Sequence, residues 1–209
     1  NRKRNIFIVL TIALASALLS AIVLYGFGVM QETQNRNQKT AQIMYHAISE
    51  QQGQELYKQE EIAWVGEFFN AFSEQVNHST VNFTYANADM LTSQSMPYSG
   101  DLPASEDEIV VQESFLDSLG YSNELGQTIQ IPFSDGTTHD FKLTGILDVK
   151  TGDIGRYTAI ISKELIRQQY GDEGMIDYYI GLNGAQNMSE EEAANYANTL
   201  AQQLKISDD

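Results

Sequence analysis

Catalysis or metal binding needs side chains of complementary type at matched spacing, and this 209-residue sequence offers few. His46, His78 and His139 stand singly, and no two have the spacing at which ring nitrogens share a metal. His46 alternates with apolar neighbours and reads as a surface or partly packed side chain. The chain has no cysteine, which excludes disulfide scaffolds, thiolate metal sites and cysteine catalysis. The G-x-S-x-G nucleophile elbow is absent, and Ser99-Gly100 lacks its context. Without G-x-x-x-x-G-K-[ST] the chain does not hydrolyse ATP through a P-loop. Glu106-Asp107-Glu108 and Asp172-Glu173 could attract a divalent cation. Both lack the alternate ligand positions and central glycine of a calcium loop, and read as solvated loop charge. The glycosylation triplets at Asn77, Asn82 and Asn187 are of a kind common by chance. The aromatic run from Trp64 to Phe72 reads as a packed strand rather than a binding surface. The expectation is a protein with no catalytic residue, no bound cofactor and no metal site.

The charge distribution says more about function than any of these residues. Lys and Arg number 12 against 28 Asp and Glu, a formal charge of −16. Every acid lies after Met30, so residues 31–209 hold 28 acids and 9 bases, a net of −19, and residues 1–30 carry +3. So acidic a chain lacks the basic patch that nucleic acid binding requires. Ile6 to Met30 is a run of 25 residues without a charge. As a helix it would reach roughly 37 Å, beyond a hydrocarbon core of about 30 Å. A signal peptide is the alternative, but the stretch is about twice the usual apolar region and no small-x-small cleavage site follows it. A retained transmembrane helix is therefore expected, with Arg2, Lys3 and Arg4 in the cytoplasm and residues 31–209 outside. Ala13, Ala17 and Ala21 recur every four residues and form a helix-packing candidate face, flanked by Ser16 and Ser20. The start at Asn1 without Met suggests a piece of a longer protein.

The outer part reads as mixed α and β. After a polar stretch from Gln31 to Thr40, Ala41, Ile43, Tyr45 and Ala47 alternate as in a half-buried strand. Ser49 and Gln52 form a capping-box pattern for a helix to about Gln59. Ile62 to Phe72 is the next strand, and Val81, Phe83 and Tyr85 alternate in another. Met96 to Pro103 is turn-rich. Glu108 to Gln112 is a short strand, and Glu113 to Leu119 a short helix stopped by Gly120. Ile129, Ile131 and Phe133, a turn at Ser134-Asp135-Gly136-Thr137, and Phe141, Leu143 and Leu147 make the clearest hairpin. Pro132 cannot donate to a ladder and marks an edge strand. Tyr157 to Ile161 is a strand, Ser162 caps a helix ending near Gly171, and Ile176 to Leu182 is a strand. Ser189 with Glu192 opens a last helix whose buried stripe is Ala193, Ala197, Leu200 and Leu204. The expected fold class is α+β, with a β-rich insertion at 93–155 between portions at 31–92 and 156–209.

Gly100-Asp-Leu-Pro103, then Glu108-Ile109-Val110-Val111, Leu119-Gly120-Tyr121 and Leu125-Gly126-Gln127-Thr128-Ile129 stand in order. This resembles the "G-x-L-P…(N/D)-E-I-V-(V/L)…L-G…(I/L)-G-(D/Q)-x-I" stretch of the extracytoplasmic domains of FtsX-like, MacB-type ABC transporter permeases. Phe141 to Ile146 looks like their "f-k-v-v-G-i" strand. The basic start before an apolar helix resembles their first span, so the resemblance covers essentially the whole chain.

The resemblance implies a first transmembrane helix followed by an α/β porter-like subdomain carrying an inserted β-rich subdomain. It implies a bacterial cell membrane location, a cytoplasmic ABC ATPase subunit and a second permease protomer as partners, and a peptide, antibiotic or lipoprotein as what is moved or released. The mechanism would be mechanical coupling, with the first helix as lever. No catalytic residues carry over. Gly100, Pro103, Glu108, Gly120, Gly126 and Gly145 read as structural positions at turns, a strand start and a helix stop. No tip motif for docking an outer-membrane channel is recognisable. The rivals are a single-span sensor or ligand-binding domain and, further behind, a membrane-anchored hydrolase, for which no nucleophile–base pair can be named.

Overall fold

A computed structural model describes residues 18, 20–25, 39–149, 156–171 and 176–206. The chain groups into two compact units, Asn1–Gln38 and Lys39–Asp209. In the first, residues 20–25 are helical, and Leu18, Ile22, Val23, Leu24 and Tyr25 are exposed. Among the described residues no helix is long and apolar enough to cross a membrane. Most of the expected span lies outside them, as do Ala13 and Ala17, while Ala21 is helical and exposed.

The second unit is built on one mixed sheet. Its strands are β1 (Ile43–Tyr45), β2 (Ile62–Val76), β3 (Ser79–Ala86), β4 (Tyr98–Gly100), β5 (Glu108–Gln112), β6 (Thr128–Pro132), β7 (Thr138–Leu147), β8 (Arg156–Ile161) and β9 (Asp177–Leu182). Helices are α1 (Glu50–Leu56), α2 (Ala88–Ser93), α3 (Glu113–Leu119), α4 (Lys163–Tyr170) and α5 (Glu190–Leu204). The strand order is β1-β9-β2-β3-β8-β5-β7-β4, with β6 paired to β7. The β3–β8 and β5–β7 pairs are parallel and the others antiparallel. Residues 93–155, which the sequence sets apart, contribute β4 to β7 to one end of this same sheet.

Strand periodicity explains the layers, because successive side chains point to opposite faces. Val81 and Phe83, Ile109 and Val111, and Ala159 and Ile161 bury against Phe115 and Leu116 of α3 and Ile166 of α4. Further along, Ile43, Tyr45, Val65, Tyr178 and Ile180 bury with Leu56 of α1 and Leu200 of α5. The intervening residues Ala86, Val110 and Ile160 face the other way and pack with Met90 and Leu91 of α2. Among the described residues four helices thus cover one face, and one short helix covers part of the other.

Local chemistry sets the helix ends. Both expected capping boxes form: Ser49 and Gln52 at α1, and Ser189 and Glu192 at α5. The Ser162 hydroxyl accepts from the Leu165 amide at 3.1 Å to open α4. Gly120 ends α3 in the left-handed region at φ 81°. Among the elements that escape the sequence reading are α2 and β4. α2 has only 6 residues, too few for a 3.6-residue period to show, and Asn87 supplies its cap. β4 is 3 residues long and is held by its ladder to β7 and by Tyr98 packing on the cluster of Met90, Leu91 and Val110. β2 also runs past Phe72 to Val76, because a bulge between Asn70 and Phe72 breaks the alternation while pairing to β3 continues. Pro132 ends β6, which pairs with β7 alone among the described strands, as its missing donor predicts.

Candidate functional site

Among the described residues, the helix-covered face carries one buried charge. Glu67 is 5% exposed, set on β2 between Val65 and Phe69. The hydroxyls of Tyr57 and Tyr85 donate to its two oxygens at 2.8 and 2.7 Å. Lys163, the first residue of α4, approaches the same carboxylate at 3.1 Å and Glu50 of α1 at 3.3 Å. Arg167, one turn on, closes on Glu50 at 2.5 Å. Lys163 also lies over the Tyr85 ring, 6.0 Å from its centroid. The result is a chain of opposite charges that clamps α1 and α4 to β2.

This arrangement holds α1, α4 and β2 together. Burial first, and then the Glu67 charge, push the Tyr57 and Tyr85 hydroxyls well above their ordinary pKa. Both therefore stay protonated near neutrality and donate to Glu67, while the Tyr57 oxygen also accepts from the Asn87 side-chain amide at 3.3 Å. Tyr45 is likewise pushed up to about 12 by burial, and its hydroxyl donates to the Ala197 carbonyl at 2.7 Å, joining β1 to α5. Among the described residues no group of three or more His, Cys, Asp or Glu could hold a metal ion. His46 lies beyond β1 with its Nδ1 3.2 Å from Asp177 Oδ1 at an exposed position. His78 sits in the two-residue turn between β2 and β3, and the His139 ring lies tilted against Phe133, 4.3 Å between centroids. No histidine reaches the Glu67 cluster.

The positions singled out by motif gather around β4, β5 and β7. Gly100 has φ 84° and pairs with Gly145, where an added Cβ would lie 2.7 Å from the Ser99 carbonyl. Gly145 thus lets β4 lie close against β7. Pro103 precedes a turn in which Glu108 accepts from the Ala104 and Ser105 amides at 2.9 and 3.3 Å and pairs with Lys142 at 3.1 Å. Glu108 is therefore a tied side chain rather than solvated loop charge, because the turn aims two amides at it. Gly126 donates its amide to the Leu143 carbonyl at 2.7 Å. None of these residues touches the Glu67 cluster, which motif reasoning missed. A lone acid inside an aromatic strand (Trp64 to Phe69) was the available signal, since a buried carboxylate demands partners.

Two carboxylates of these networks make stability pH-dependent. The Arg167 hydrogen bond, opposed by burial and aided by Lys163, holds Glu50 below its ordinary 4.5. The Ala104 amide and Lys142 do the same for Glu108. A depressed folded-state pKa stabilises at pH above the unfolded value and the gain is lost as pH falls through the folded one. Thermal midpoints followed by circular dichroism should be level from neutral pH down to the ordinary value and drop below it. Glu50→Gln with Glu108→Gln should flatten that drop, and an unchanged slope would remove the two carboxylates as its cause.

The family model described as the MacB-like periplasmic core domain matches residues 6–199. No curated protein matches the chain at a significant level. Among solved structures, the periplasmic region of MacB from Actinobacillus actinomycetemcomitans aligns with TM-score 0.53 at 14% identity, over 77% of this chain and 76% of that one. A permease-protein domain from Porphyromonas gingivalis aligns with TM-score 0.53 at 9% identity, over 74% and 76%. At these identities the likeness is one of fold.

Proposed function

Since the chain belongs to the family of MacB-like periplasmic core domains, we propose that it is the first span and extracytoplasmic domain of an ABC transporter permease. In this reading it couples ATP hydrolysis by a separate cytoplasmic ATPase to movements outside the membrane that export or release a peptide, antibiotic or lipoprotein. The observation that carries the reading is the family match itself, which runs from the apolar N-terminal stretch through the sheet domain to residue 199. Three further features support it. The basic start at Arg2, Lys3 and Arg4 favours a cytoplasmic N-terminus. The side chains of Leu18, Ile22, Val23, Leu24 and Tyr25 are exposed, as lipid contact would require. The sheet unit is cross-braced by the Glu67 cluster, which ties α1 and α4 to β2, as passing on a movement would require.

The Ala13, Ala17 and Ala21 face would pack against another span, of this subunit or of a second permease protomer. The full-length protein purified from its own membranes should bring a stoichiometric ATP-hydrolysing subunit with it. Changing the three alanines to leucine should lower the stimulated ATPase rate of that complex several-fold while both subunits stay associated. Purification without an ATPase would overturn the permease reading. An unchanged rate would overturn the packing role alone.

A further inference from the structure

The sheet face opposite the Glu67 cluster holds a cavity of about 220 Å³. Its floor is made by Asn70 of β2, Asn82 and Thr84 of β3, and Thr158 of β8. Phe68, Met90, Met96 and Ile160 stand around that floor as apolar walls. Neither an acidic nor a basic side chain lines it.

Thr84 is the informative residue. It is only 6% exposed, and its side chain has no hydrogen-bond partner among the described residues. No fully enclosed side-chain polar atom among them is left unpaired, so the remaining accessible surface of this hydroxyl opens into the cavity it lines. A hydroxyl that reaches only this cavity has its hydrogen-bonding capacity available to whatever occupies it, at a position where an isosteric valine would suit a β-strand better. The neighbours keep spare capacity too. Asn82 uses its carbonyl oxygen to accept from Ser73 at 2.7 Å, which leaves its amide hydrogens free. Thr158 gives its backbone amide to Gln112 at 3.0 Å, while its hydroxyl makes no bond among the described residues.

The lining restricts the ligand. A charged group would lose its hydration here and meet no counter-charge, so the occupant is neutral. Hydroxyls and side-chain amides each offer a donor and an acceptor, which complements a group that does the same, namely an amide. The walls accept a short aliphatic chain. The volume equals that of about seven waters at their liquid share, the size of one amino-acid residue. We propose that this cavity binds an uncharged amide-bearing ligand of the size of one peptide residue. The Thr84 and Thr158 hydroxyls and the Asn82 amide take its amide group, and Phe68, Met90 and Met96 cover its aliphatic part. The site goes beyond the coupling role and holds or fails without it.

The test uses the full chain in detergent micelles with ¹³C-methyl methionine. Met90 and Met96 line the cavity, and Met188, packed on the other face of the sheet, serves as an internal control. The probe is N-acetyl-L-leucinamide at up to about 50 mM, because a ligand this small binds in the millimolar range. The Met90 and Met96 methyl signals should shift and saturate while Met188 stays still. Thr84→Val should weaken binding about tenfold. Thr158→Val should also weaken binding, and serves alone if the first variant does not fold. Absence of a saturable shift would overturn the proposal. So would equal binding by both valine variants, equal binding of the carboxylate N-acetyl-L-leucine, or a Met188 shift as large as the others.

Discussion

Lys163→Met should destabilise the sheet domain by about 3 kcal/mol, read as a lowered urea midpoint at constant slope. Lys163 is 20% exposed at its side chain and sits between two carboxylates, 3.1 Å from Glu67 and 3.3 Å from Glu50. Methionine replaces the aliphatic stem but leaves Glu67 buried without a cation. Removing one partner of a buried pair typically costs about 3–5 kcal/mol. The lower figure applies because Tyr57 and Tyr85 still donate to Glu67. The double variant Glu67→Leu with Lys163→Met removes both charges, and replacing a buried pair by apolar groups is often neutral. It should recover at least half of the loss, although the two tyrosine hydroxyls then lose their acceptor. A double variant as unstable as the sum of its parts would show that the two residues do not interact. Should the double variant fold well and still lower ATPase coupling in the assembled complex, the pair would be a force-bearing element and not only a stabilising one.

How much of this was legible beforehand depended on the range of the forces involved. Ser49, Ser162 and Ser189 announced helix starts because a cap acts within three residues. Pro132 announced an edge because its missing amide is a property of one residue. The strand β6 and the return strand β7 could be read from alternation, β5 as a short run of Ile and Val, and the order β1, α1, β2, β3 followed. The clamp could not be placed that way. Lys163 lies 96 positions from Glu67, and Arg167 lies 117 from Glu50, so only the fold brings them together. The cavity was hidden for the same reason. Thr84 belongs to an ordinary β-former run, and its missing partner appears only when α2 and β8 are in place.

Gly53→Ala offers the sharper contest between local and tertiary effects. Gly53 is in the interior of α1, where alanine is favoured over glycine by about 1 kcal/mol. On propensity alone the substitution should stabilise. Gly53 is buried, however, and a Cβ built there would overlap the ring and hydroxyl of Tyr178 on β9. Tyr178 is 1% exposed and packs in the cluster that joins α1 and α5 to the sheet, so it has little room to withdraw. Overpacking of this kind costs about 1–3 kcal/mol, and here a whole ring is displaced, so the upper value applies. The net expectation is a loss of about 2 kcal/mol, and thermal unfolding should show a fall in midpoint of roughly 4–8 °C. Gly53→Ala combined with Tyr178→Leu should be less unstable than Tyr178→Leu is relative to its own glycine parent, because the overlap is gone and the helix preference reappears. A rise in stability for Gly53→Ala alone would mean that α1 can lift from β9 without penalty. The same result would weaken the view that α1, which carries Glu50 of the charge clamp, is fixed to the sheet as part of one moving body.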